Sequence, residues 1–151
     1  METKITVDDI AYCGLNCRLC NLTTILPEAA NRLRMIMQDD GWENFGSQLY
    51  EEFADFWKVL ASLAQMKESC PLCKGGCGNP ECGFRICAQK KGLRLCAECS
   101  EYPCPPLKEF YSGHYQKLAQ NNERIRATGL EAWLKEQQEL VDRGFSFRDL
   151  V

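Results

Sequence analysis

Cysteine is the residue type that most constrains this chain. Eleven cysteines occur in 151 residues, three of them at Cys13, Cys17 and Cys20 and the other eight between Cys70 and Cys104. A disulfide scaffold needs an oxidising compartment and normally an even number of cysteines. The number here is odd, and residues 1–10 contain no apolar run that could act as a signal peptide. We therefore expect a cytoplasmic protein whose thiols bind metal.

Two cysteine pairs have the spacing of zinc ligands. In Cys70-x2-Cys73 and Cys96-x2-Cys99, the two intervening residues let both sulfurs of a pair reach one ion at about 2.3 Å. Two such pairs complete a tetrahedral site. The 22 residues between the pairs slightly exceed the usual spacing of roughly 15 to 20, which an inserted loop explains.

The early trio supplies three further ligands and lacks a fourth. That ligand has to come from a later cysteine, for which Cys82, Cys87 and Cys104 are the natural partners, or from His114, the single histidine. The chain is therefore expected to fold back on its own start. Two four-thiolate sites use eight cysteines and leave three. Cys77 is the first candidate for a spare thiol.

The metal-ligand candidates are thus ten cysteines, with Cys77 and His114 as two further candidates. His114 falls on an apolar helical face, where a hydrogen-bonded core histidine is the commoner role. The acidic runs Asp39–Asp40 and Glu51–Glu52 are typical of solvated helix surfaces, so no catalytic residue is assigned. The ten cysteines are Cys13, Cys17, Cys20, Cys70, Cys73, Cys82, Cys87, Cys96, Cys99 and Cys104.

Apolar periodicity predicts helices on both sides of the cysteine-rich region. One helix covers Leu26 to Met37, with Gly41 as its stop, and a longer one runs from Leu49 to Ala64. A third opens at Pro105 and carries Leu107, Tyr111, His114 and Leu118 on one face, and a fourth runs from Leu130 to Val141 with Gly144 at its end. Short strand pairings are conceivable only around 84–86 and 93–95.

The predicted fold class is mainly α, as a single small domain over residues 1–151 that is stabilised by metal. It consists of an N-terminal cysteine knuckle at 1–20, a helical hairpin at 21–69, a metal-binding region with little or no strand at 70–104, and C-terminal helices at 105–151. Residues 70–104 have too few large apolar side chains to fold alone. Structural zinc contributes on the order of 10 to 16 kcal/mol in small fingers. Without metal, we expect this segment to unfold.

Three segments resemble a known family. Residues 11–20 (AYCGLNCRLC), 82–88 (CGFRICA) and 96–104 (CAECSEYPC) are similar to the cysteine-rich domain-of-unknown-function family 3795, and residues 129–134 (GLEAWL) are similar to that family's ending. Leu72 stands where the family often has glycine, and Cys77 is additional. The resemblance implies a metal-binding protein, expected to bind zinc, with no assigned reaction and no substrate.

The leading functional hypothesis is a cytoplasmic module in which zinc, expected as two ions, organises a surface that binds a protein or small-molecule partner. The rival is an iron–sulfur protein for electron transfer or cluster delivery, since thiolate ligands suit both metals. A third interpretation is a zinc-ribbon-like nucleic-acid binder. The net charge of −3 and pI near 5.3 do not favour that class, although Arg85, Lys90, Lys91 and Arg94 form a basic cluster. No run approaches the roughly 20 apolar residues of a membrane span.

Overall fold

A computed structural model describes residues 4–112 and 115–150 of the chain. Within these residues the fold is mainly helical and has no β-strand, which confirms the predicted mainly α class. The α-helices are α1 (Ile25–Asp39), α2 (Trp42–Leu49), α3 (Phe53–Ala64), α4 (Met66–Ser69), α5 (Gly83–Lys90), α6 (Pro105–Phe110), α7 (Gln116–Thr128) and α8 (Leu130–Asp142). Short 3-10 helices occupy Val7–Asp9, Cys96–Glu98 and Phe147–Leu150.

The first and last predicted helices are confirmed as α1 and α8. Each is followed within two residues by a glycine in the left-handed conformation, Gly41 at φ +77° and Gly144 at φ +74°. A side chain with a Cβ atom is strained at such angles, so glycine is favoured just beyond a helix end. The stop signals were therefore visible in the sequence.

The predicted helix from Leu49 to Ala64 is confirmed from Phe53 onward and is wrong at its start, because two helices share this stretch. Leu49 ends α2, the chain is extended at Tyr50 (φ −135°), and α3 begins only at Phe53. The apolar positions stay in helical register across the break, so periodicity alone could not reveal it. The break brings the rings of Trp42 and Phe53 to a centroid separation of 6.1 Å.

The predicted helix after Pro105 is likewise divided. It ends at Phe110 as α6, and α7 begins at Gln116, while His114 lies outside the described residues. Leu107, Tyr111 and Leu118 nevertheless meet in one apolar cluster, as their predicted common face implied. The suggested strand at 84–86 is wrong because these residues lie inside α5, and 93–95 form no strand either.

The chain divides into two compact units. The cysteine unit comprises Met1–Cys20 and Pro71–Val151, and the helical unit comprises Asn21–Cys70. The cysteine unit has a core that joins distant parts of the sequence, since Ile5 and Ile10 pack with Leu95, Ile125 and Trp133. Apolar burial therefore helps to hold the chain's start against its middle and its C-terminal helices. None of the helices in the described parts of the chain is long and apolar enough to cross a bilayer.

The helical unit is built from α1, α2 and α3, each of which contacts the other two. Its most buried large side chains are Phe53 and Leu60, at 6% and 5% exposure. Gly46 of α2 lets the Phe53 ring approach the helix, because a Cβ atom at this position would lie 2.6 Å from three ring carbons. Burying such a ring stabilises the unit by roughly 1.5 to 3 kcal/mol.

We expect Gly46→Ala to lower the free energy of unfolding of the helical unit by about 1 to 3 kcal/mol, because Phe53 must move away from an overpacked contact. Helix propensity alone would favour alanine by about 1 kcal/mol, so the sign of the change separates the two effects. Gly83→Ala in α5 is the matched control, since nothing lies within 4 Å of its added Cβ atom. Urea unfolding followed by tryptophan fluorescence measures both. If the Gly46→Ala protein is as stable as the wild type, the Phe53 ring does not pack closely against Gly46.

Candidate metal centre

The trio of early cysteines sits on a tight loop that closes on itself. The Ala11 N–H donates to the Leu15 carbonyl at 2.8 Å, and the Gly14 N–H donates to the Ala11 carbonyl at 2.9 Å. The Cys17 N–H donates to the Asp9 carbonyl at 2.8 Å. These bonds fix the backbone that carries Cys13 and Cys17 without using either thiol.

Buried side chains from the C-terminal half hold the tip of this loop. The Tyr111 hydroxyl donates to the Cys13 carbonyl at 2.8 Å, Asn122 Nδ2 donates to the same oxygen at 2.7 Å, and Asn121 Nδ2 donates to the Gly14 carbonyl at 3.0 Å. Gly14 has φ +95°, and a Cβ atom on it would lie 2.1 Å from Asn122 Nδ2. The glycine is therefore required both by the backbone angle and by the close approach of Asn122.

Cys73 lies beside this loop. Its backbone N–H donates to the Cys17 sulfur, and the Tyr12 N–H donates to the Cys73 sulfur. Burial raises the pKa of Cys13 and of Cys17 to about 12, and the neighbouring thiols add to the effect. Without a cation these thiols are neutral near pH 7, so binding a metal ion here would release protons.

Arg85 shapes the loop that follows Cys73. It is 6% exposed, and its guanidinium donates to the carbonyls of Cys73 at 2.8 Å and Cys77 at 3.0 Å, and to that of Asn79. A buried guanidinium with three carbonyl partners organises a segment that otherwise has little core. Sequence reasoning assigned Arg85 to a basic cluster and missed this role, for which a lone arginine gives no distinctive pattern.

A second group of thiols lines one cavity of about 60 Å³. Cys87 comes from α5, Cys96 begins a 3-10 turn that Cys99 follows, and Cys104 directly precedes α6. The Cys96 N–H donates to the Tyr12 carbonyl at 2.7 Å, which ties this group to the early loop. Burial raises the pKa of Cys96 to about 12, with Cys104, Cys87 and Cys99 contributing in that order.

Three further cysteines belong to neither of these groups. Cys82 directly precedes α5 and is near enough to Cys13, Cys73 and Cys96 to contribute to the raised pKa of each. Cys77 is half-buried in the loop held by Arg85, and Cys70 ends α4 in the helical unit. His114, the remaining candidate, is among the residues that the structure does not describe.

None of the eleven cysteines is in a disulfide bond, so no cystine competes with metal for them. Within 4–112 and 115–150, no three Cys, His, Asp or Glu side chains are arranged so that they could hold a metal ion directly. The backbone gathers four thiols around one cavity and places Cys73 beside the early loop, but the sulfurs would have to turn towards a common point to hold an ion. The donor set suits a thiophilic ion such as zinc or iron, and its geometry has to be completed on binding.

The basic cluster predicted near the ligands is mostly engaged within the protein. Lys91 pairs with Glu101 at 2.7 Å and lies 3.7 Å from the Cys99 sulfur. Arg94 pairs with Glu98 at 2.5 Å, and Arg85 is buried against carbonyls. Lys91, Arg94 and Arg85 therefore already have partners within the protein.

The fold therefore defines a class of protein. It is mainly helical, contains eleven thiols, and has an early cysteine loop that the C-terminal helices hold. The chain belongs to the family described as "Protein of unknown function (DUF3795)", whose model matches residues 9–109. The resemblance stated from the cysteine motifs is thereby confirmed. No curated protein and no solved structure matches the chain.

The strain of the backbone between Cys70 and Cys73 can be tested at Leu72. It is the one non-glycine residue with positive φ in the described parts of the chain, at φ +60°. A non-glycine residue costs roughly 1 to 2 kcal/mol in this conformation. We expect Leu72→Gly to be more stable than Leu72→Ala by about 1 kcal/mol, although both lose the same leucine side-chain contacts. Thermal unfolding of the two variants measures the difference. An alanine variant equal to the glycine variant would show that the backbone here is unstrained.

Proposed function

We propose that this protein is a zinc-binding module in which two four-thiolate sites fix the surface of the cysteine unit for a protein or small-molecule partner. The observation that carries the proposal is the gathering of Cys87, Cys96, Cys99 and Cys104 around one small cavity, from three separate segments of the chain. Four thiolates around one ion are the usual closed site of structural zinc. No reaction is assigned.

The positions of the thiols favour a division that differs from the one suggested by spacing. Cys96 and Cys99 lie with Cys87 and Cys104 rather than with the pair that contains Cys73. Cys73 exchanges hydrogen bonds with the early loop and is the best fourth ligand for Cys13, Cys17 and Cys20. Cys70, Cys77 and Cys82 then remain outside the two sites, as three spare thiols.

Structural zinc would supply the stability that residues 71–104 do not gain from apolar burial. Apart from α5 and one 3-10 turn, this segment consists of loops and turns, and its buried residues are few. Ordering each residue costs roughly 1.5 kcal/mol, which the few apolar contacts cannot offset. Zinc–thiolate bonds at both ends of the segment would hold it against the core formed by Ile10, Leu95 and Trp133.

Metal content is the decisive measurement. Protein purified without oxygen is expected to contain two zinc ions per chain by elemental analysis and to lack absorption near 400 nm, because zinc has a filled d shell. Cys99→Ser should remove one ion through the second group, and Cys17→Ser should remove one through the first. Cys77→Ser is the matched control and should retain both ions.

Three results would overturn this proposal. A brown protein with more iron than zinc would replace it with an iron–sulfur centre, because thiolates ligate both metals. Less than one equivalent of any metal would remove metal binding altogether. Loss of an ion in Cys77→Ser but not in Cys99→Ser would refute the division of the ligands.

Chelation should affect the two units differently. We expect removal of zinc to increase the hydrogen-exchange rate of backbone amides in 71–104 at least tenfold, since the bonds that hold this segment are lost. Amides in α1 and α3 of the helical unit should keep their protection, because these helices carry no thiol and pack on one another. Hydrogen-exchange mass spectrometry before and after chelation reports both. Equal loss of protection in the two units would contradict a role confined to the cysteine unit.

A further inference from the structure

An aromatic cavity lies in the helical unit, and no cysteine is among its lining residues. Its volume is about 370 Å³, within the range of roughly 300 to 1,000 Å³ typical of small-molecule sites. Four of its lining residues are aromatic, and a single carboxylate joins them. The lining consists of Met37, Trp42, Tyr50, Glu52, Phe53 and Phe56.

The rings form a wall rather than a closed core. The Trp42 ring stacks with Tyr50 at a centroid separation of 6.4 Å and an interplanar angle of 18°, and with Phe53 at 6.1 Å and 25°. Phe53 is buried and anchors the wall, whereas Tyr50 and Phe56 remain 59% and 42% exposed. Ring faces carry negative electrostatic potential, so exposed stacked rings attract a cation placed over them.

The segment of the chain that carries the wall is acidic. Between Met35 and Trp57 the sequence contains six acidic residues and no lysine or arginine: Asp39, Asp40, Glu43, Glu51, Glu52 and Asp55. Glu43 accepts hydrogen bonds from Trp57 and Gln38, and Asp55 pairs with Lys58 at 3.2 Å. Glu52 faces the cavity, and its carboxylate has no ion pair with any cation in 4–112 or 115–150.

We propose that this cavity binds an alkylated ammonium ion, with the charge over the rings of Trp42 and Tyr50 and Glu52 as its counter-ion. A bare ammonium group is strongly hydrated and needs several hydrogen-bond acceptors, which this wall does not offer. A trimethylammonium group presents methyl carbons to the rings while keeping its positive charge. The volume of the cavity suits a small molecule that carries such a group. Binding of this molecule does not depend on the metal proposed for the cysteine unit.

Paired probes of equal shape test the proposal on the metal-loaded full chain. Choline and its neutral carbon analogue 3,3-dimethylbutan-1-ol are titrated separately at constant ionic strength, with isothermal calorimetry and tryptophan emission as readouts. We expect saturable binding of choline, about tenfold tighter than that of the neutral analogue, because only the cation gains from the ring faces and Glu52. Trp42→Phe should weaken choline binding several-fold, as tryptophan is the strongest cation-binding ring.

Glu52→Gln and Glu51→Gln form a matched pair of surface variants. Both remove one negative charge from adjacent exposed positions, but only Glu52 lines the cavity. Glu52→Gln should weaken choline binding about threefold, and Glu51→Gln should leave it within twofold. Neither change touches the Phe53 anchor, so loss of folding does not confuse the result.

Several outcomes would overturn the inference. Equal affinity for choline and its neutral analogue would make the cavity a merely apolar one. No saturable binding of choline up to about 50 mM would remove the site, since affinities weaker than this carry almost no interaction energy. Binding of a lysine-rich amphipathic peptide without binding of choline would assign the exposed rings to a helical protein partner instead.

Discussion

The structure of the cysteine unit depends on the hydrogen bonds that hold two carbonyls of the early loop. The carbonyls of Cys13 and Gly14 accept from Tyr111, Asn121 and Asn122, and Asn122 is fully buried. A buried carbonyl without a partner costs roughly 1 to 3 kcal/mol, so the loop and the C-terminal helices need each other. This contact sets the position of Cys13 and Cys17, on which any metal site at the loop depends.

The neutral and the charged forms of the buried thiols are favoured under opposite conditions. Burial raises the pKa of Cys13, Cys17 and Cys96, which favours the protonated thiol in the absence of metal. A metal ion would compensate the thiolate charge and reverse that preference. The core of Ile10, Leu95 and Trp133 and the carbonyl contacts therefore bring the thiols close, and the proposed zinc would complete their arrangement. Apolar packing and metal coordination would then together hold the start of the chain against its middle, whereas the sequence suggested coordination alone for this role.

The two units use their aromatic residues differently. Trp133 of the cysteine unit is almost completely buried, at 1% exposure, and serves as core. In the helical unit, Phe53 is buried while Tyr50 and Phe56 stay exposed around a cavity. A core of this size gains stability from every buried ring, so the exposed rings beside Glu52 support the proposed ligand.

The sequence by itself determined the helical class, the ends of α1 and α8, and the family, because glycine stops, apolar periodicity and cysteine spacing are local features. It could not locate the breaks at Tyr50 and after Phe110, since the apolar register continues across both. Only the tertiary structure decided which thiols are neighbours. Cys73 lies against the early loop, where it shares hydrogen bonds with Tyr12 and Cys17, and Cys87 lines the same cavity as Cys96. Spacing along a chain carries no information about such contacts between distant segments.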